Sequence, residues 1–423
     1  MNLTASFFIF IFSFPNALPN AAHVRQCTFF MGKLFSIKCR AGACPRRKVI
    51  INQQEYCRKQ VAYPAKEREK IMCIKNLQST LENGRGYLIS SPENRRYLTG
   101  FASSDGYLLI TKTEAVFLID SRYIEAAQNI ARGCTDIVLL TSLTTQLPEY
   151  IEKLGIKTLF TEAERLSVSE FQTFRRLVPC ECLAEKADEK INVLRRTKCE
   201  EEKTKILAAQ AIAEKAFDHV LGFIKEGVTE REIALTLDFF MLKNGAECVS
   251  FETIAVSGKN SSMPHGVPGG KKIERGDFIT MDFGAVVDGY HSDMTRTVAV
   301  GGVSEKQAQV YETVLTAQKK CLEILKAGVT CFDADAAARD IIKAAGYGGF
   351  FGHGTGHGVG IEIHEQPRLS QKSKQILEIG DVVTVEPGIY LPGEFGVRIE
   401  DMAIITEKGC ENLTKSPKTL IIL

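Results

Sequence analysis

Two stretches about a hundred residues apart spell nearly the same strand, and each delivers a carboxylate at the same place. Residues 273–285 read IERGDFITMDFGA and residues 377–389 read LEIGDVVTVEPGI, so Asp282 and Glu386 are equivalent at an offset of 104. Each has a downstream companion: Asp293, eleven residues past Asp282, and Glu400, fourteen past Glu386. The likeness reaches upstream, where IKEGVTEREIALTLDFFMLKNGAE (224–247) matches LKAGVTCFDADAAARDIIKAAG (325–346) at an offset of 101. His265 in MPHG and His364 in IHEQ are separated by 99. An offset that stays near a hundred across three landmarks predicts two copies of one helix-helix-strand-strand unit. Such copies pack about a pseudo-two-fold axis, which sets the equivalent carboxylates face to face.

The rest of the chain is organised around that duplication. At 423 residues the length fits two domains or a little more, and 44% apolar with 25% charged residues is ordinary globular composition. The net charge of +2 hides an asymmetry: residues 1–71 carry twelve Lys/Arg against three Asp/Glu, which leaves the remainder acidic and points away from nucleic acid. Residues 5–14, ASFFIFIFSF, are apolar but too short to span a bilayer, and no Lys or Arg precedes them. We therefore expect residues 1–71 to be an extension, disordered or absent from the working protein, with a cleaved signal as the alternative. Thirteen cysteines are scattered without zinc-site spacing and read as reduced thiols of a cytoplasmic protein.

Residues 72–194 alternate strand and helix patterns, which predicts an α/β domain. Within it 107–120 reads as a two-strand hairpin turning at Lys112, Thr113 and Glu114, and 151–162 as a helix end feeding a strand. Asp105 and Arg122 are polar loop residues that read either as surface solvation or as reaching a neighbouring site. Helical patterns over 193–208 and 211–225 mark the start of a second domain, 195–423.

Five of the seven histidines fall between His265 and His364, three of them in the glycine-rich GHGTGHGVGIEIHEQ. Glycine flanks let backbone approach the imidazoles closely. Oxygen-rich ligands with one imidazole suit Mn²⁺, Fe²⁺, Co²⁺ or Zn²⁺. Two such ions about 3.5 Å apart need bridging carboxylates, and together they can hold a hydroxide at neutral pH. His291 and Asp293, two apart, are expected on one strand face, with His291 either supporting the ligands or serving at the surface.

The series MPHG, MDFGA, GYHSDMTRTVAVG, GHGTGHGVGIEIHE, VEPGIY and GVRIED, in this order, resembles the creatinase/aminopeptidase P branch of the pita-bread metallopeptidases. SPENRRYLTGF resembles that family's N-terminal domain, so the likeness spans nearly all of 72–423. The resemblance implies an α/β N-terminal domain and an α+β pita-bread catalytic domain, a curved, mostly antiparallel sheet backed by helices. It implies that Asp282 chelates a first metal, that Asp293 and Glu400 bridge two, and that His357 and Glu386 complete the second. It also implies Glu386 as general base, and His265 and His364 flanking the substrate to stabilise the tetrahedral intermediate and hold the proline-side carbonyl. His353 would line the pocket and Arg398 would orient Asp293. The activity implied is that of a dinuclear Xaa-Pro aminopeptidase using Mn²⁺, with Co²⁺ or Zn²⁺ as alternatives, acting on proline-containing peptides as a homodimer. Xaa-Pro dipeptidase (prolidase) is the nearest rival. A non-catalytic peptide-binding module and a creatine amidinohydrolase are remoter ones.

Overall fold

Alternating apolar residues place two cores on the two faces of one N-terminal sheet. Tyr87, Ile89, Leu108, Ile110, Phe117 and Ile119 join one buried cluster, while Leu88, Leu109, Val116 and Leu118 join the other, the period-2 partition of strands covered on both faces. The computed structural model describes residues 65–423 apart from 132, 185 and 186, and the described residues belong to one compact unit. The expectations for the apolar run and basic extension lie outside the described residues. Helix α1 (Ala65–Ser79) runs through the expected boundary at Met72.

The N-terminal strands are β1 (Arg85–Ile89), β2 (Tyr107–Thr111), β3 (Ala115–Ile119), β4 (Asp136–Leu139), β5 (Thr158–Thr161) and β6 (Glu181–Leu183), ordered β4-β3-β2-β1-β5-β6. β2 and β3 form the expected hairpin, and β5 follows the expected helix end. Helix α2 (Pro92–Thr99) begins where the Glu162 carboxylate accepts the backbone N–H groups of Ser90 and Ser91 and the Asn94 side chain. Helices α3 (Ile124–Ile130), α4 (Leu143–Lys153) and α5 (Val168–Leu177) complete this half.

The helical patterns over 193–208 and 211–225 resolve differently from the expectation. Helix α6 (Ala187–Arg196) stops, and α7 (Glu200–Leu221) runs unbroken through the expected gap. The chain leaves the helix because Thr197 bridges Asp381 and the Lys198 N–H donates to Gly380 O, a tertiary contact that local periodicity does not encode.

The duplication is visible in backbone bonds. In both copies the GVT threonine caps a helix: Thr229 starts α8 (Glu230–Lys243), and Thr330 starts α10 (Cys331–Ala344), which follows α9 (Glu305–Ile324). Gly227 N–H donates to Ile273 O as Gly328 N–H does to Leu377 O. Glu274 N–H donates to Asp277 Oδ2 at 3.0 Å as Glu378 N–H does to Asp381 Oδ2 at 2.8 Å.

The first copy carries β7 (Cys248–Val249), β8 (Ile254–Ser257), β9 (Phe278–Phe283), β10 (Ala285–Val287), β11 (Tyr290–His291) and β12 (Met294–Ala299). The second carries β13 (Gly356–Gly358), β14 (Glu365–Leu369), β15 (Val382–Val385), β16 (Gly388–Leu391), β17 (Phe395–Arg398), β18 (Asp401–Ile405) and β19 (Cys410–Asn412). Every ladder among these strands is antiparallel, with β12-β9-β8 and β14-β13-β15-β18-β19 as the principal sheets. The apolar faces of α7 and α8 pack with the first set and those of α9 and α10 with the second, one buried cluster for each repeat.

Candidate metal centre and its cavity

Four carboxylates converge where the two sheets meet. Asp282 lies on β9, Glu386 just past β15, Asp293 just before β12 and Glu400 just before β18. Ligand atoms of Asp293, His357 and Glu400 lie within 4.8 Å of one another, and His357 Nε2 is 3.3 Å from Glu386 Oε1 and 3.6 Å from Asp293 Oδ2. These residues line a cavity of about 590 Å³ together with Asp282, His265, His353, His364, Arg368 and Arg398. All nine site residues expected from the sequence are therefore brought together.

The second strand of each repeat departs from strict equivalence. Register sets Asp282 opposite Thr295, and extending the β15/β18 register by one residue sets Glu386 opposite Glu400. The structural counterpart of Glu400 is thus Thr295, and Asp293 precedes it by one pleat repeat. Thr295 uses its hydroxyl to donate to Glu400 Oε2 at 2.7 Å.

Local bonds leave the oxygens and one imidazole nitrogen open for a cation. Asp282 Oδ1, Asp293 Oδ1 and Glu400 Oε1 are buried and accept no hydrogen bond among the described residues. A buried acceptor without a partner is costly, and three facing one cavity fit a set of metal ligands. His357 Nδ1 is 3.0 Å from Gly358 O and donates to it, which turns the lone pair of Nε2 into the cavity. The segment leading into β13, the strand that carries His357, is fixed from behind: Asp335 accepts the Thr355 N–H at 3.0 Å and binds Arg339, which donates to His353 O at 2.6 Å. Gly356 cannot be replaced, because a Cβ there would meet Thr384 O at 1.9 Å.

The electrostatics agree. Burial, compounded by Glu400 and Asp282, pushes the Asp293 carboxyl well above the usual range. Burial does the same to Glu400, with Glu386 and Asp282 adding to it. It lifts Glu386 to about 8, with Arg398 opposing and Asp282 adding. Burial, helped by His364, lowers His357 to about 3, so the imidazole is neutral and free to ligate. Without added positive charge these acids cannot all ionise.

Arg398 differs from the expectation. Its Nη2 donates to Asp282 Oδ2 at 2.6 Å, its Nε to Thr295 Oγ1 at 3.0 Å and its Nη1 to the Tyr390 hydroxyl at 2.9 Å, so it orients Asp282 rather than Asp293. The resemblance implied Asp293, and the strand register instead brings Arg398 to the aspartate opposite Thr295. The Tyr390 hydroxyl, accepting from Arg398, donates to His353 Nε2 at 2.9 Å, while His353 Nδ1 donates to Gly354 O at 2.8 Å. Burial lowers His353 to about 4.

His291 and Asp293 do not share a strand face. His291 ends β11 and Asp293 precedes β12, strands of different sheets, and Ser292 between them turns to donate its N–H to Ala285 O. His291 does not line the cavity. Asp105 and Arg122 pair with each other on the exposed surface and lie outside the cavity lining as well. Sequence reasoning missed Thr295, Thr384, Tyr390 and Arg368. Tyr390 stands inside the VEPGIY motif, and the hydroxyls carry no pattern of their own.

Comparison with known proteins places the chain in a family. Residues 204–407 match metallopeptidase family M24 and residues 74–197 the creatinase/prolidase N-terminal domain. An Xaa-Pro dipeptidase of Pyrococcus furiosus is 40% identical over 340 residues, 79% of this chain and 94% of that one. The structure of an Xaa-Pro dipeptidase from Bacillus anthracis superposes with a TM-score of 0.81 at 43% identity, covering 84% of this chain and all of that one. An X-Pro aminopeptidase from Thermotoga maritima superposes at 0.76 with 37% identity, covering 82% of this chain and 100% of that one. With its creatinase-type N-terminal domain and duplicated pita-bread catalytic domain, the chain belongs to metallopeptidase family M24.

Proposed function

We propose that the chain is a metal-dependent Xaa-Pro exopeptidase that hydrolyses the bond between an N-terminal residue and a following proline. The observation that carries this reading is the meeting, in one cavity, of four carboxylates with three unpartnered buried oxygens beside an imidazole nitrogen free to ligate. Asp282, Asp293, His357, Glu386 and Glu400 would hold two divalent ions, Mn²⁺ by preference and Co²⁺ or Zn²⁺ as alternatives. When bound, such a pair supplies an acidified water and a Lewis acid for the amide carbonyl.

The side chains do the rest. Glu386 takes the proton of the attacking water and passes it to the proline nitrogen, which as a tertiary amide carries none of its own. His265 and His364 flank the substrate, stabilising the tetrahedral intermediate and holding the proline-side carbonyl. Neutral His353, held by Tyr390, forms part of the wall, and Arg398 keeps Asp282 in place. A cytoplasmic location and a homodimeric assembly complete the reading, the second checked by sedimentation.

Peptide length separates two versions. The aminopeptidase version takes a tripeptide or longer, and a cavity of about 590 Å³ is large enough for one. The dipeptidase version is favoured by Arg368, an exposed cation at the lining of the same cavity whose guanidinium has no hydrogen bond or ion pair among the described residues. A dipeptide's terminal carboxylate suits such a group. The names of the relatives fall on both sides. The test is amino-acid release by metal-stripped protein resupplied with Mn²⁺, offered Xaa-Pro-Yaa and Xaa-Pro in parallel. Metal-dependent tripeptide cleavage supports the aminopeptidase version, and dipeptide cleavage alone moves the assignment to dipeptidase. No cleavage of either, with metal bound, contradicts the reading and favours a binding module.

A further inference from the structure

The six residues 360–365, GIEIHE, are held from the side away from the cavity. Ile361 belongs to the apolar core of the N-terminal domain, together with Tyr97 and Ile191. Glu362 binds Arg165 through both oxygens and accepts from Arg195 at 2.6 Å. Ile363 and His364 face the other way and line the cavity. Glu365, its side chain 5% exposed, lies between Arg195 Nη2 at 2.5 Å and Lys198 Nζ at 2.9 Å. Its Oε1 also accepts the Glu362 N–H at 3.1 Å, closing the loop on itself. A Cβ on Gly360 would come within 2.5 Å of this carboxylate, so the packing is tight on the fourth side too.

Arg195 lies in the last turn of α6 and Lys198 in the short segment before α7, the passage between the two domains. The same passage has a second anchor that touches no cavity residue. Arg196 grips Asp381 through two bonds at 2.9 and 2.8 Å and Glu378 at 2.8 Å. The two anchors are chemically alike, and only one of them ends on a substrate-facing loop.

We propose that Glu365 is a positioning residue: clamped between Arg195 and Lys198, it fixes the loop that presents Ile363 and His364, so that the interdomain segment sets where the peptide lies. The proposal rests on the reading that peptide binds in this cavity. A buried carboxylate between two cations tolerates little displacement, since any movement leaves an uncompensated charge. His364, one residue away on the same loop, inherits that rigidity.

The experiment compares Glu365→Gln and the milder Lys198→Met with Asp381→Asn as the anchor control, all in the full chain. Peptide-level amide hydrogen exchange over 360–365, metal content, unfolding temperature, and KM and kcat on Xaa-Pro and Xaa-Pro-Yaa are read together. Glu365→Gln is expected to speed exchange in the loop about tenfold with metal content unchanged. It should lower kcat/KM about tenfold, mostly through KM, as loss of substrate positioning does. Asp381→Asn should lower the unfolding temperature while loop exchange and KM stay within about twofold. Unchanged loop exchange in both Glu365→Gln and Lys198→Met, or equal effects from Asp381→Asn, overturns the proposal. If the unsubstituted protein cleaves neither peptide, the functional reading fails, and the exchange arm still decides whether Glu365 orders the loop.

Discussion

The two repeats of the catalytic domain share a framework and differ at the chemistry. Helix caps, glycine turns and the aspartates at 277 and 381 make matching bonds in both. Among the described residues, only the second repeat sets an imidazole nitrogen within 4 Å of the clustered carboxylates, His357 beside Glu386 and Asp293. The registers of β8 against β9 and of β13 against β15 equate His357 with Val256, an apolar residue buried in the first repeat. The companion acids also differ, since Thr295 occupies the place that Glu400 takes in the second repeat. Asp277 pairs with Lys271 inside its own repeat, whereas Asp381 is taken by Arg196 from the interdomain segment. The duplicated backbone therefore builds a symmetric cradle, and a few substitutions make its contents asymmetric: the first repeat supplies two carboxylates, and the second supplies two carboxylates, the imidazole and the link to the N-terminal domain.

The sharpest way to break this comparison is to remove one acid from each side. Asp293→Ala and Glu400→Ala should both reduce bound metal and Xaa-Pro turnover to background, read by metal analysis and peptide cleavage. Retention of both in either variant would mean that the substituted acid is no ligand. Next in size is the His357/Val256 pair. His357→Ala should weaken metal binding by more than about 100-fold, beyond the loss typical of a ligand's supporting residue. Val256→Ala should leave metal binding intact and cost about 1–3 kcal/mol in denaturant unfolding.

A smaller contrast lies in the equivalent glycines 284 and 388. A Cβ on Gly284 would meet the backbone oxygen of Ser292 at 1.9 Å, but on Gly388 it would meet the Tyr390 hydroxyl at 2.4 Å, and a side chain can turn away. Gly284→Ala should cost about 1–3 kcal/mol in denaturant unfolding or more. Gly388→Ala should cost less stability and instead lower activity, by moving Tyr390 off Arg398.

The smallest effect is on pH dependence of the metal-free protein. Carboxyls raised in the folded state, such as Glu386 at about 8, contribute stability that is lost as pH rises from the usual carboxylate value toward the folded one. His357, depressed to about 3, works in the opposite direction below its ordinary value of 6.5. The two oppose each other in mild acid, and only the carboxyls act between pH about 6.5 and 8. The unfolding temperature of the metal-free protein should fall across that window, and Glu386→Gln should flatten the fall. A rise with pH would contradict the assignment.

Much of this was legible in the sequence because repetition encodes position twice. The Asp282/Glu386 equivalence, the repeated helical segments after GVT and the hairpin over 107–120 rest on local patterns that the structure keeps. What was not legible depends on partners distant in sequence. The break at Thr197 is imposed by Gly380 and Asp381, and Arg398 selects Asp282 through strand register. Asp293 and Glu400 are companions of equivalent acids but lie eleven and fourteen residues past them, and in the ladder Asp293 is one pleat repeat out. His291 was placed by a period that ends at Ser292. Arg195 and Lys198 carry no motif, and GHGTGHGVGIEIHE ends on Glu365 without showing its partners, since a buried ion cluster is assembled from segments about 170 residues apart.

The measurement that bears most directly on the two-repeat site is a calorimetric titration of the metal-stripped protein with Mn²⁺, run beside Asp293→Ala. Saturation at two ions per chain, abolished by the substitution, is the result expected if both repeats contribute ligands to one cage. Saturation at a single ion, or two ions retained after Asp293→Ala, would contradict it.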